Sequence, residues 1–268
     1  MPAGDAATTT AGVAIPTFIA CMVWMIISWA FGDSMMMSAA GAQQIHDDDA
    51  AHKKIFRLVE NVALAAGLPT PRVYIIPDDG LNAFATGRTP SDASVALTRG
   101  IINKLNDDEL QGVIAHEMSH IGNRDIRLDM LLITGVGVTV FAADILSRMV
   151  IYGGNSRDDN GKNNTAMVML MVWLAFTVFN VIVSPLLQLA VSLKREFAAD
   201  ACGAQITRNP RALASALRKI SGHADVKSLA NSRSMAIACI AEPRKAFMSD
   251  LFSTHPSTDE RIRRLESM

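Results

Sequence analysis

The sequence predicts an α+β domain, with a small antiparallel sheet packed on helices, fused to transmembrane helices that split it in sequence. Three observations predict this. Three apolar stretches approach the roughly 20 residues that a bilayer span takes. Short β-type runs bounded by turn clusters lie between the first two stretches. A well-signalled helix follows those runs and carries His116-Glu117-Met118-Ser119-His120. Composition agrees: 19% charged residues among 268 is low for a soluble domain of this size, and mean hydropathy is +0.22. A net charge of −1 gives no field for a general nucleic-acid binder, so no nucleic-acid partner is expected. Cys21, Cys202 and Cys239 are scattered, with no C-x-x-C pair, so neither a thiolate zinc site nor a disulfide framework is indicated, which fits a reducing compartment.

In chain order, Met1 to Ala11 is a tail of small and hydroxyl residues, and Gly12 to Gly32 is the first span. No Lys or Arg precedes that apolar run, which favours a retained anchor over a signal peptide. Asp47 to Ala66 has helical amphipathic spacing and stops at Gly67-Leu68-Pro69. Val73 to Ile76, Asn82 to Gly87 and Ala93 to Thr98 are strand-like, separated by the turn clusters Pro77-Asp78-Asp79-Gly80 and Thr89-Pro90-Ser91-Asp92. Ile101 to Leu105 begins helical structure. The second span runs from Met130 to about Tyr152 and the third from Ala166 to about Ser184, joined by a polar loop from Gly153 to Asn164. Pro185 should kink or restart the helix that leads on to Asp200, and Asn209-Pro210 starts another. Ser257 and Glu260 have capping-box spacing before a last helix. The chain thus divides into a tail and anchor (1–33), a first part of the soluble domain (34–129), a membrane hairpin (130–184) and a second part (185–268).

The helix of the H-E-x-x-H stretch starts at Asn106, with Glu109 three residues on and Asp107, Asp108 and Glu109 in the first turn, where the helix dipole favours negative charge. Residues four apart share a helix face, so His116 and His120 can hold one Zn2+ with Glu117 beside it. A catalytic zinc takes three protein ligands. Among the remaining His, Asp and Glu residues Glu196 stands out, because Asp200 follows four residues later on the same face. An Asp there can hydrogen-bond a ligating imidazole. Read alone, that pair is more often a solvated helix face; its pairing with the H-E-x-x-H stretch reverses that.

The chain resembles the HtpX family of membrane-bound zinc metalloproteases, gluzincin peptidases related to CAAX prenyl endoproteases. The resemblance rests on Asn82-Ala83-Phe84-Ala85-Thr86-Gly87, on His116 to His120 followed by Asn123 and Asp125, on Arg195-Glu196-Phe197-Ala198-Ala199-Asp200, and on His255-Pro256 with Arg261. It implies a zincin-like metalloprotease domain with one zinc ion on His116, His120 and Glu196, Glu117 as general base, and Asp200 orienting His116. It implies protein substrates, membrane or misfolded, in a quality-control or stress-response role at the cell inner membrane. Family members usually carry two N-terminal spans, and one is legible here.

His255 and Arg261 are the candidate donors to the oxyanion of the reaction. The strand Asn82, Ala83, Phe84, Ala85 is a candidate edge for pairing with extended substrate; an ordinary core strand is the alternative. Two other classes compete: a catalytically silent metal-binding scaffold, against which Glu117 speaks, and a transporter using Asp144 and Arg148, against which the large soluble portion speaks. Lys and Arg concentrate between the first two spans and after Pro185, which places the catalytic part of a multi-pass membrane protein in the cytoplasm.

Overall fold

The computed structural model of the chain describes residues 3–153, 171–175, 177–179, 184–221 and 257–268. They fall into two units: one within Met1–Gly32 and Leu131–Leu187, the other within Asp33–Met130 and Gln188–Met268. Residues 154–164 of the polar loop, most of the third apolar stretch and His255 lie outside the described residues.

The described residues of the first unit are helical. Helix α1 (Ala3–Ala39) and helix α5 (Asp125–Gly153) each contain a segment long and apolar enough to cross a membrane, Phe18–Ala39 and Asp125–Ile145. Phe18, Ile19, Ile26 and Phe31 of α1 are exposed apolar side chains, as a lipid-facing helix requires. Trp24 stacks on Phe141 of α5 with ring centroids 5.4 Å apart.

The second unit is α+β. Its strands are β1 (Gln43–Ile45), β2 (Arg72–Ile76), β3 (Ala83–Thr86) and β4 (Ser94–Thr98), in the spatial order β1-β2-β4-β3. The β1–β2 and β3–β4 pairs are antiparallel, as expected, but the central β2–β4 pair is parallel, so the sheet is mixed. The chain passes from β2 out to the edge strand β3 and returns through β4 between them. Central β4 has every residue buried, which suits a strand covered on both faces. Asn82 fastens the start of β3 to the end of β4: its N–H donates to Thr98 Oγ1, and its carbonyl accepts from the Thr98 N–H, each at 3.0 Å.

Helix α2 (Lys53–Ala65) starts six residues later than the sequence pattern suggests. Asp49 takes hydrogen bonds from the Ala51 N–H and the His52 ring, an alternative to helix that short polar side chains offer the backbone. Strand β1 was illegible because three residues are too few to show alternation. Helix α3 (Arg99–Lys104) is capped by Thr98, and helix α4 (Asp107–Gly122) by Asn106. Among the described residues further along the chain are α6 (Ser184–Thr207), α7 (Pro210–Ser221) and α8 (Thr258–Glu266). Pro185 is the second residue of α6, where its missing N–H costs nothing.

One apolar core binds this unit, including Val59 of α2, Val95 and Leu97 of β4, Val113, Ile114 and Met118 of α4, Leu213 of α7 and Leu265 of α8. Helix α4 packs on α2, β3 and α7. The H-E-x-x-H stretch therefore sits on the most enclosed helix among the described residues of the unit.

Candidate metal centre

The capping box of α4 forms as its residues predict: Asn106 Oδ1 accepts from the Glu109 N–H and Glu109 Oε2 from the Asn106 N–H, both at 2.9 Å. Glu109 also accepts from Ser215 Oγ at 2.7 Å and Lys219 Nζ at 2.6 Å, which fastens the start of α4 to α7. Two glycines permit close helix approach. A Cβ at Gly112 would lie 3.1 Å from Leu213 Cα, and one at Gly203 would lie 3.0 Å from the His116 backbone nitrogen. Gly203 thus lets α6 lie directly against the turn of α4 that carries His116.

Helix α4 then presents two imidazoles one turn apart, and α6 brings Glu196 to them. The Nε2 atoms of His116 and His120 are 3.2 Å apart, and each lies 3.6 Å from an oxygen of Glu196. A tetrahedral ion with donors at about 2.0–2.1 Å separates those donors by about 3.3–3.4 Å. The approach is to Oε2 from His116 and to Oε1 from His120, and with one donor atom from each residue within 4.8 Å of the others the set fits one zinc ion in chemistry.

What stands behind the imidazoles makes the fit directional. His116 Nδ1 lies 3.0 Å from Asp200 Oδ1, and His120 Nδ1 lies 2.9 Å from Asp125 Oδ2. A carboxylate beside Nδ1 favours the proton on that nitrogen, through a hydrogen bond at His120 and through charge at His116, whose Nδ1 lies outside hydrogen-bond geometry, and leaves the Nε2 lone pair outward. Two lone pairs and a carboxylate oxygen then converge, an arrangement that only a cation or an added proton relieves.

Each backing aspartate has its own arginine. Arg261 donates from Nε and Nη2 to the two oxygens of Asp200 at 2.8 and 2.7 Å, and its Nη1 is 3.2 Å from Glu196 Oε2. Arg195 Nη2 donates to Asp129 at 2.8 Å, and Nη1 approaches the Asp125 carbonyl oxygen at 3.3 Å and its Oδ1 at 3.7 Å. Five carboxylates (Glu117, Asp125, Asp129, Glu196 and Asp200) thus share a cluster with two guanidiniums, an excess of negative charge that suits a dication.

Burial would raise the Asp200 carboxyl, but the charge and hydrogen bonds of Arg261 and the contact with His116 outweigh it and hold the group at about 2. Burial would lower His120, yet the hydrogen bond to Asp125 and the charges of Glu196 and Glu117 carry it up to about 9. Glu117 is buried, and burial pushes its carboxyl above the usual range against the pull of the two imidazoles. A carboxylate raised in this way is a better proton acceptor, as a general base requires.

The structure brings His116, Glu117, His120, Glu196 and Asp200 together. It puts Arg261 in the same cluster, fully enclosed rather than on the surface. Asn82, Ala83, Phe84 and Ala85 lie at the sheet edge, with buried side chains and with β3 packed on α4. Asp144 and Arg148 form an exposed pair four residues apart on α5, with no part in this cluster. Sequence reasoning gave no role to Asp125, although it lies five residues past His120. The signal is the helix break at Asn123 and Arg124, where a φ of 62° at Arg124 turns the chain back toward His120.

Comparison with known proteins agrees with this geometry. Peptidase family M48 matches residues 49–268. A "Protease HtpX homolog" of Lactobacillus acidophilus is 42% identical over 253 residues, covering 92% of this chain and 83% of that protein. Another from Bacteroides fragilis is 40% identical, covering 91% of this chain and 77% of that protein. Among solved structures, Ste24p of S. mikatae superposes with a TM-score of 0.55 at 15% identity, covering 95% of this chain and 58% of that one, a likeness of fold. The chain belongs to peptidase family M48, within its HtpX group of membrane metalloproteases.

Proposed function

We propose that the protein is a zinc-dependent endopeptidase in which His116, His120 and Glu196 hold the metal and Glu117 is the general base. The observation that carries this reading is the convergence of His116 Nε2, His120 Nε2 and a Glu196 oxygen within 4.8 Å of one another. Zinc held there supplies Lewis acidity toward the scissile carbonyl and a more acidic water. Glu117, enclosed beside His116, takes the proton of the attacking water and passes it to the leaving amine. Asp200 keeps His116 in the tautomer that offers Nε2. The donors of Arg261 face Asp200 and Glu196, so the task of meeting the oxyanion falls to His255. The main chain of Asn82, Ala83, Phe84 and Ala85, at the sheet edge against α4, pairs with an extended substrate.

The substrates in this reading are membrane or misfolded proteins, cleaved in envelope quality control under stress. The relatives carrying a protease name and the two membrane-length helices support it. The catalytic part faces the cytoplasm of a multi-pass protein of the inner membrane, by the distribution of Lys and Arg. Reporter fusions within 154–164 should report the outer face; a cytoplasmic signal there would reverse the orientation.

The enzyme reading separates from a silent metal scaffold through Glu117. Glu117→Gln keeps size and a carbonyl acceptor but cannot take a proton. It should retain one zinc per chain while cleavage of an unfolded protein falls about 10²- to 10⁴-fold. His116→Ala should lose metal and activity together. Undiminished cleavage by Glu117→Gln at full zinc occupancy would sink the mechanism.

A further inference from the structure

We infer that Arg195 is a positioning residue for the metal-binding imidazole of His120, acting through Asp125. This rests on the assignment of His116, His120 and Glu196 as the metal set. The Asp125 carboxylate divides its oxygens: Oδ2 takes the His120 Nδ1 proton at 2.9 Å, and Oδ1 turns toward Arg195 Nη1 at 3.7 Å. The same Nη1 donates to the Asp125 carbonyl at 3.3 Å, so the guanidinium grips both the backbone and the side chain of that residue. Asp129, one turn further along α5, holds the other end of the fork at Nη2, 2.8 Å away. Arg195 is thereby fixed at two points, and Asp125 has one rotational setting in which both oxygens are engaged.

The placement gives this contact a purpose beyond tying α5 to α6. Arg195 immediately precedes Glu196, so one dipeptide of α6 supplies a metal donor and supports the donor on another helix. His120 also needs the support more than His116 does. His120 lies in the last turn of α4, two residues before the helix ends at Gly122, and is partly exposed, whereas His116 is enclosed by α6 at Gly203. An imidazole in the last turn of a helix, less enclosed than its partner, depends more on its hydrogen bond for its direction.

The test is the zinc dissociation constant of the full-length protein in detergent, by chelator competition at fixed pH, for the parent, Arg195→Met, Arg195→Lys, Asp125→Asn and the double variant Arg195→Met/Asp125→Asn. Asp125→Asn should weaken zinc binding about 10- to 100-fold, as loss of a ligand-orienting carboxylate does, and Arg195→Met about tenfold. Arg195→Lys keeps the charge without the fork and should fall between Arg195→Met and the parent. The double variant should bind no more weakly than Asp125→Asn within about twofold, since Arg195 acts only through Asp125. Cobalt in place of zinc gives a visible band that reports ligand geometry; Arg195→Met should shift it in the same direction as Asp125→Asn. A purely structural tie would leave affinity and band unchanged in the folded variants, or would make the two losses multiply, and either result overturns the inference. If Arg195→Met does not fold, Arg195→Lys carries the same test. A parent that binds no zinc would overturn the metal assignment itself, while zinc-binding variants that match a zinc-binding parent overturn only the role of Arg195.

Discussion

The two imidazoles of the site are supported by the same device, an aspartate at Nδ1 and an arginine behind it, built under different physical conditions. On the His116 side, Asp200 and Arg261 form a two-pronged pair with side chains 4% and 2% exposed. On the His120 side, Asp125, Asp129 and Arg195 are 10%, 21% and 18% exposed, and Arg195 reaches the Asp125 side chain only at 3.7 Å. The chain distances differ as well. Asp200 and Arg261 come from α6 and α8, whereas Asp125 follows His120 by one tight turn. The buried half depends on tertiary assembly and concentrates charge where water cannot replace a lost partner. The less enclosed half has both its aspartates close behind His120 on α5, takes its arginine from α6, and lies nearer to water. Burial, rather than the number of ion pairs, should therefore set what each half contributes.

The largest expected effect tests that claim directly. Arg261→Met leaves Asp200 and Glu196 enclosed without their cation, and breaking one side of a buried pair typically costs about 3–5 kcal/mol. Arg195→Met leaves Asp125 and Asp129, which are less enclosed than Asp200 and Glu196, without their cation and should cost less, about 2 kcal/mol. Denaturant unfolding of the two zinc-free variants in the same detergent measures the difference. Equal costs, or a larger one for Arg195→Met, would break the link drawn here between burial and weight.

The same contrast explains what could be read from the residues. The metal helix was legible down to its cap, because Asn106, Glu109 and the apolar spacing are local signals. The pairing of Glu196 with Asp200 was legible because both lie four apart on one helix, and that spacing survives in the sequence. Arg261 could be named from the family pattern but not placed. Nothing local to α8 says that this arginine is enclosed while Arg263 and Arg264 beside it are exposed. The parallel β2–β4 pair was hidden for a related reason: strand order depends on which surface α4 covers, and that is settled by packing across the unit. Asp125 belongs to the family pattern but had no legible role, because helical periodicity does not describe a residue beyond the end of the helix.

A smaller effect, on acid and base stability, sharpens the comparison because the two halves should fail at opposite ends of the pH scale. Burial works against the charge on both Asp200 and His120, and in both it is outweighed, by Arg261 first in one and by Asp125 first in the other. Asp200 is lowered from 3.8 to about 2, so its contribution to the fold is present above pH 3.8 and is lost as pH falls through about 2. His120 is raised from 6.5 to about 9, so its contribution in the zinc-free protein is present below pH 6.5 and is lost as pH rises through about 9. Shifts of this size correspond to roughly 2–3 kcal/mol each. Melting of the zinc-free protein across pH should show both limbs. Asp200→Asn should flatten the acid limb alone, and Asp125→Asn should shift the alkaline limb to lower pH, since it removes the leading contact that raises His120. With zinc the alkaline limb should vanish, because ligation occupies the Nε2 lone pair that would otherwise hold the proton. Binding near pH 7.5 should then release a proton that is no longer released above about pH 9. Titration calorimetry in buffers of different ionisation enthalpy counts that proton. A count that stays constant from pH 7 to 10, or an alkaline limb that Asp125→Asn leaves in place, would mean that Asp125 does not govern His120 and that the two supports are not the same device.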